Sequence, residues 1–161
     1  KNGTMMRKTR LFPLAVCIAT LFSGCGRPPA ECEYQPVSAD GWELTDTLVF
    51  RTDTLPAGRY SLTLGLRTSA SIPYPYRSLT LLLQQTWKKT DTTRCDTVVC
   101  PLTTTTGDNS GKGIAFFQYE FPAGTFRLSQ PAAGRLSVSH IMRREVLPGI
   151  TDVGLRIDRI D

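Results

Sequence analysis

From Arg59 to Arg67 the chain alternates without a break, with Tyr60, Leu62, Leu64 and Leu66 on one side and Ser61, Thr63, Gly65 and Arg67 on the other. A period of two is the signature of a strand with one face in a core and the other in water. The same period recurs along the chain. Thr47 to Arg51 reads as a short strand, Ser78 to Lys88 as a long one, and Thr93 to Cys100 as another, ending where Pro101 withdraws its backbone donor. Ile114 to Phe121 places Ala115, Phe117, Tyr119 and Phe121 on one face, and Arg135 to Arg143 gathers Leu136, Val138, His140 and Met142. Ile150 to Ile160 aligns Val153, Leu155 and Ile157. Pro-Ala-Gly at 56–58 and 122–124, and Pro131-Ala132-Ala133-Gly134, each precede an alternating run and read as one turn solution used repeatedly. No segment has the period of a long helix. Short strands separated by such turns predict an all-β chain: a single antiparallel β-sandwich or jelly-roll-like domain.

Ahead of the strands, Leu11 to Cys25 reads LFPLAVCIATLFSGC behind Arg7, Lys8 and Arg10. A positive segment followed by an apolar run too short to span a bilayer is an export signal. Ser23-Gly24-Cys25 closes it as a lipobox, with Phe22 where leucine is usual, so that Cys25 becomes the lipidated first residue after cleavage. The expected organisation is a cleaved segment over 1–24, in which Lys1 to Thr4 lie upstream of Met5-Met6; a lipid anchor and tether over 25–40; and the sandwich over 41–161. Of 19 Lys+Arg against 14 Asp+Glu, four basic residues fall within the signal and no acid does, which leaves 15 against 14. The basic excess therefore belongs to export, and a nucleic-acid partner is discarded. Gly26-Arg27-Pro28-Pro29-Ala30 is a short, stiff tether.

Three cysteines remain after Cys25, in a compartment where disulfides persist. Cys95 and Cys100 face opposite sides of an extended strand, roughly 16 Å apart, and are not expected to pair. Cys32, Cys95 and Cys100 with the lone His140 match no zinc spacing, so no metal and no cofactor is expected. They read as small buried hydrophobes, with a disulfide from Cys32 to one of the others as the alternative.

Catalytic chemistry is thin. Gly107-Asp108-Asn109-Ser110-Gly111-Lys112-Gly113 falls one residue short of a phosphate loop, has no helix after it, and puts Lys112 where a calcium loop needs an oxygen. A glycine-rich hairpin loop accounts for it. His140, in phase with Leu136 and Val138, reads as a core histidine, since no nucleophile stands in a triad or elbow pattern. Glu31 and Glu33 are assigned to the tether. Tyr74-Pro75-Tyr76 with Trp87 and Trp42 is a candidate sugar-stacking surface, weighed against ordinary packing. Arg143-Arg144 is a candidate grip for an anionic partner, weighed against a solvated strand end.

Several blocks together resemble a known family. Gly41-Trp42, Asp46 to Phe50, Ile72-Pro73-Tyr74-Pro75-Tyr76-Arg77-Ser78-Leu79, the glycines around Lys112, and above all His140 to Arg143 and Leu147-Pro148-Gly149-Ile150-Thr151-Asp152-Val153-Gly154-Leu155-Arg156-Ile157 are similar to the GldH gliding-motility lipoproteins of Bacteroidota. The resemblance implies a lipid-anchored envelope protein of the gliding machinery and its linked secretion apparatus, with no enzymatic residue to carry over. The chain is thus expected to be a noncatalytic outer-membrane lipoprotein, an accessory or structural component whose partners are the membrane, through its lipid, and envelope proteins of that complex. Its tether lacks the acidic run of surface-exported lipoproteins, so a periplasmic orientation is expected. A glycan-binding surface lipoprotein using Tyr74, Tyr76 and Trp87 is the alternative, and an unrecognised hydrolase a third.

Within the final block, Pro148-Gly149 suits the centre of a type II turn. Asp46-Thr47-Leu48, Asp53-Thr54-Leu55, Asp91-Thr92-Thr93 and Asp96-Thr97-Val98 match the short pattern at which exported Bacteroidota proteins are O-glycosylated. Thr54 and Thr92, expected in loops, are better candidate acceptors than Thr47 and Thr97, expected in strands.

Overall fold

The computed structural model describes residues 31–88 and 92–161. The export signal, Cys25 and the tether over 26–30 lie outside the described residues, as does Asp91. Ten strands follow one another: β1 (Glu31–Pro36), β2 (Trp42–Glu43), β3 (Leu48–Leu55), β4 (Gly58–Ser69), β5 (Ser78–Trp87), β6 (Thr92–Pro101), β7 (Phe116–Leu128), β8 (Ala132–His140), β9 (Val146–Leu147) and β10 (Ile150–Arg159). They build two four-stranded antiparallel sheets, ordered β1-β10-β4-β7 and β3-β8-β5-β6, and a small β2-β9 pair. This is the expected antiparallel sandwich.

Alternation translates directly into the core. Tyr60, Leu62, Leu64 and Leu66 of β4 meet Leu79, Leu81 and Leu83 of β5, Leu136 and Val138 of β8, and Val153, Leu155 and Ile157 of β10, all buried. Each leucine-sized side chain so buried contributes about 1.5–3 kcal/mol of transfer free energy. Connections β3–β4, β5–β6 and β7–β8 are short and lie at one end, where β1 also begins, opposite Ile157; the long connections lie at the other end.

Three expectations need correction. Residues 31–36 are not tether but β1, paired with β10 from Glu31↔Ile157 to Pro36↔Asp152. Glu31 and Glu33 therefore sit on an edge strand. Pro122-Ala123-Gly124 is not a turn: β7 runs through it, with a bulge where the register passes from Leu62↔Gly124 to Thr63↔Pro122 and Gly124 takes φ 112°. An edge strand tolerates Pro122 because the missing N–H would point away from β4. Pro131-Ala132-Ala133-Gly134 likewise passes into β8 at Ala132 rather than remaining a turn.

Candidate functional site

The segments singled out in the sequence converge at the end of the sandwich that carries the long loops. Gly149 has φ 81°, as a type II turn requires, and a Cβ there would lie 2.5 Å from the Ile72 carbonyl oxygen and 2.8 Å from the Tyr74 nitrogen. The Leu147–Ile150 turn is thus seated on the Ile72-Pro73-Tyr74 backbone. Ser69 N–H donates to the Gly149 carbonyl at 2.9 Å, while the Ser69 hydroxyl accepts from the Ser71 and Ile72 amides at 3.2 Å each. Tyr74 donates its hydroxyl to the Ser78 carbonyl at 3.1 Å and meets Tyr76 edge-on at 5.3 Å. Burial pushes the Tyr74 phenol above its ordinary range. Arg77 donates to the carbonyls of Thr104 and Thr105 at 3.2 and 2.9 Å, tying this segment to the glycine-rich loop.

That loop is the expected hairpin connection, bridged at Thr103↔Asn109. The Asn109 amide oxygen accepts from the Gly111 N–H at 2.7 Å and from the Tyr119 hydroxyl at 2.6 Å.

The aromatic surface expected from Tyr74, Tyr76, Trp42 and Trp87 does not assemble. Trp42 is fully buried, donating its indole N–H to the Asp46 carbonyl at 3.2 Å and standing edge-on to His140 at 5.4 Å. Trp87 is buried between Phe126, stacked at 4.7 Å, and Gly134, where a Cβ would fall 2.5 Å from its ring. Tyr74 and Tyr76 precede the start of β5 and Trp87 closes it, so the strand separates them by roughly 30 Å. Arg143 and Arg144 are exposed in the connection between β8 and β9.

His140 is buried, as expected, with Nε2 3.2 Å from the Trp42 carbonyl and Nδ1 without a hydrogen-bond partner. Desolvation lowers its pKa, outweighing the hydrogen bonds to the backbone of Trp42 and Glu43 that raise it. Only Cys100 matches the expectation of a buried thiol, its pKa pushed up to about 12 by burial. Cys32 and Cys95 are exposed instead, because each occupies the outward phase of its strand, and all three are free thiols. Among the described residues no group of three or more His, Cys, Asp or Glu is placed to hold a metal. Of the candidate acceptors, Thr54 lies in β3 and Thr92 opens β6, so neither is in a loop, whereas Thr47 precedes β3 and is exposed. Thr54 and Thr97 are exposed strand residues.

Sequence reasoning missed the outer face of the β1-β10-β4-β7 sheet. Tyr34 of β1 pairs with Gly154, which pairs with Gly65. The ring lies flat across both glycines: a Cβ on Gly154 would sit 2.7 Å from ring carbons and one on Gly65 would strike the phenol oxygen. The Arg67 guanidinium covers the ring 4.2 Å from its centroid. Beside it Arg156 bonds Glu120 and Asp158, each at 3.0 Å. Partial burial raises the Tyr34 pKa, opposed by the charge of Arg67. Isolated glycines at two in-strand positions were the available signal. Past this face, along the free edge of β7, runs a trough of about 570 Å³ lined by Ser110, Lys112, Gln118, Tyr119, Glu120 and Phe121.

The profile of the GldH lipoprotein family matches residues 31–157, from the first residue of β1 almost to the end of β10. The chain belongs to the GldH lipoprotein family. No curated protein matches it. Among solved structures, this GldH-family chain is similar to one described as "A novel family GH115 4-O-Methyl-alpha-glucuronidase, BtGH115A, with specificity for decorated arabinogalactans", at 7% identity and a TM-score of 0.43, over 85% of this chain. It spans only 18% of that protein's length. A second is the Eiger TNF of S. frugiperda, at 9% identity and a TM-score of 0.35, covering 83% of this chain and 97% of that one. Family membership makes the chain a lipoprotein, a membrane-anchored protein of the cell envelope. It also puts the blocks quoted for the resemblance in a structural light. Val153, Leu155 and Ile157 fill the core, Gly154 receives Tyr34, Arg156 holds two carboxylates and Gly149 seats the turn.

Proposed function

We propose that this GldH lipoprotein is a noncatalytic structural component of the gliding-motility machinery or its linked secretion apparatus, held to the outer membrane by lipid on Cys25 and facing the periplasm. The observation that carries the reading is the extent of the family match, which takes in the sandwich from the start of β1 almost to the end of β10. A noncatalytic role is supported by how the polar side chains are used. His140 is enclosed against the Trp42 carbonyl, Arg156 is taken up by ion pairs with Glu120 and Asp158, and Arg159 by one with Asp161. The glycan-binding alternative loses its support with Trp42 and Trp87 in the core.

Crosslinking in intact cells, followed by purification of the tagged protein from envelope fractions, tests the proposal. The expected result is recovery of motility or secretion proteins of the envelope in stable proportion to the bait. Recovery of the protein alone, or a hydrolytic activity on envelope polymers that survives purification, would overturn it.

A further inference from the structure

The sheet order leaves β7 with a strand neighbour on one side only, β4. On its free side a single rung exists: Gln118 N–H donates to the Lys112 carbonyl at 2.9 Å and Lys112 N–H donates back at 3.0 Å. The next rung of that antiparallel ladder would place residue 110 opposite residue 120. Ser110 cannot take the place, because its amide and its hydroxyl both donate to the Leu102 carbonyl at 3.0 Å. The ladder stops there. Main-chain groups two residues apart point the same way, so the N–H and C=O of Glu120 face the trough that Ser110, Lys112 and Phe121 line. Farther along, Pro122 has no donor, the strand bulges through Gly124, and Arg94 covers the Thr125 carbonyl at 3.1 Å. Those are the usual protections of an edge; with Lys112 already paired to Gln118 on the other side, they leave the N–H and C=O of Glu120 as the open pair.

We infer that this stretch of β7, centred on Glu120, is a docking edge for an extended peptide segment of another protein, which pairs its main chain with that of Glu120. The seat also states what the segment looks like. On the core side it meets the half-buried ring of Phe121, backed by Tyr119 stacked at 6.1 Å, which favours an apolar or aromatic residue. On the outer side lie Gln118 and Glu120, the latter already held by Arg156 at 3.0 Å. At one end stands Lys112, which makes no ion pair among the described residues and calls for a carboxylate. A second copy of the chain is a poor occupant. Two-fold pairing about Glu120 would set like charges directly opposite one another, which is destabilising, and would bring Pro122 to a rung without its donor. The inference goes beyond the proposed function and stands or falls apart from it, since it names how a segment is held and not which complex supplies it.

Random 12-residue peptides displayed on phage, selected against the full-length chain in detergent micelles, provide the test. Enriched peptides are expected to alternate apolar and polar residues with an acid near one end, and to slow amide exchange at Glu120 about tenfold. Glu120→Pro removes the outward N–H while leaving the ladder to β4, and is expected to weaken those peptides about tenfold, the effect of about 1.4 kcal/mol. Glu120→Gln keeps the N–H and is expected to bind as the parent does, and Lys112→Glu is expected to bind more weakly with unchanged melting. Should Glu120→Pro fail to fold, the exchange at Glu120 and the Lys112→Glu comparison decide the matter alone. Failure to enrich any peptide, equal binding by folded Glu120→Pro, protection that bypasses Glu120, or self-association through β7 would each overturn the inference.

Discussion

The Tyr34 ring rests on Gly154 so closely that a single added methyl would stand 2.7–2.8 Å from three of its carbons. Two residues far apart in the chain are thereby matched, one supplying a large flat side chain and the other none. Gly154→Ala is expected to destabilise the fold by about 1–3 kcal/mol through overpacking. In a Tyr34→Ala background the same change should cost little. Chemical denaturation of the four members of that cycle measures the coupling, and additive costs would show that the contact is not what requires glycine.

Gly149→Val places a β-branched side chain at φ 81° and drives it into the Ile72 carbonyl, 2.5 Å from the Cβ. Left-handed backbone alone costs an L-residue about 1–2 kcal/mol, and the seat on Ile72-Pro73-Tyr74 is lost as well. Stability and partner recovery should fall together. Pro148→Ala, which keeps the glycine, should cost only about 0.4–1 kcal/mol. Native melting with lost recovery in Gly149→Val would instead mark the turn as a recognition surface.

His140 gives the fold a pH dependence whose direction follows from burial. Its folded pKa is lowered by desolvation, so the folded protein holds it neutral where the unfolded chain already binds a proton. The contribution is fully present above the unfolded pKa of about 6.5 and is lost as pH falls from there through the folded value. Denaturation midpoints should drop between about pH 7.5 and 5.5, and His140→Leu should flatten that slope whatever its own stability. An unchanged slope in the variant would assign the dependence to other groups.

Cys25→Ser should remove lipid attachment and release the protein from salt-washed membranes, since stable anchoring needs the several chains of a mature lipoprotein. Fractionation of cells expressing the variant measures it, and unchanged membrane retention would count against the anchor. Protease treatment of intact cells reports the orientation in the same preparation, with survival of the protein expected.

Protein purified from its native host is expected to exceed the mass of the lipidated chain by a glycan, with Thr47 and Thr54 the exposed acceptors nearest a strand end. A bulky glycan requires an exposed hydroxyl. Intact mass before and after Thr54→Ala and Thr47→Ala reads the site, and a mass equal to the lipidated chain alone would end the expectation.

Most of the sandwich was legible because alternation is a local property that burial enforces residue by residue. Tyr60, Leu62, Leu64 and Leu66 point inward in the structure as the pattern requires. What escaped depended on register between distant segments. Nothing in Glu31 to Pro36 alternates strongly enough to announce β1, whose place is set by Tyr34 finding Gly154 and Gly65. Pro122-Ala123-Gly124 looks like its counterpart at 56–58, yet one turns and the other bulges, because only the second has β4 running on beside it. Trp42 and Trp87 carry polar handles that suit either surface or core, and the decision rested on His140 and Phe126 across the sheet. The β7 edge was out of reach for the same reason, being defined by a rung that Ser110 fails to make.

β1 enters the sheet at the end where the short hairpins lie and runs toward the long loops, held to β10 along its whole length from Glu31 to Pro36. A pull between the proposed anchor and those loops therefore acts along the strand. It cannot peel one hydrogen bond at a time, as a tug across the sheet would, but must slide every rung together. Tyr34, lodged over two glycines and capped by Arg67, adds a ratchet tooth to that sliding joint. Load applied along β1 is therefore met in shear, by all the rungs from Glu31 to Pro36 at once.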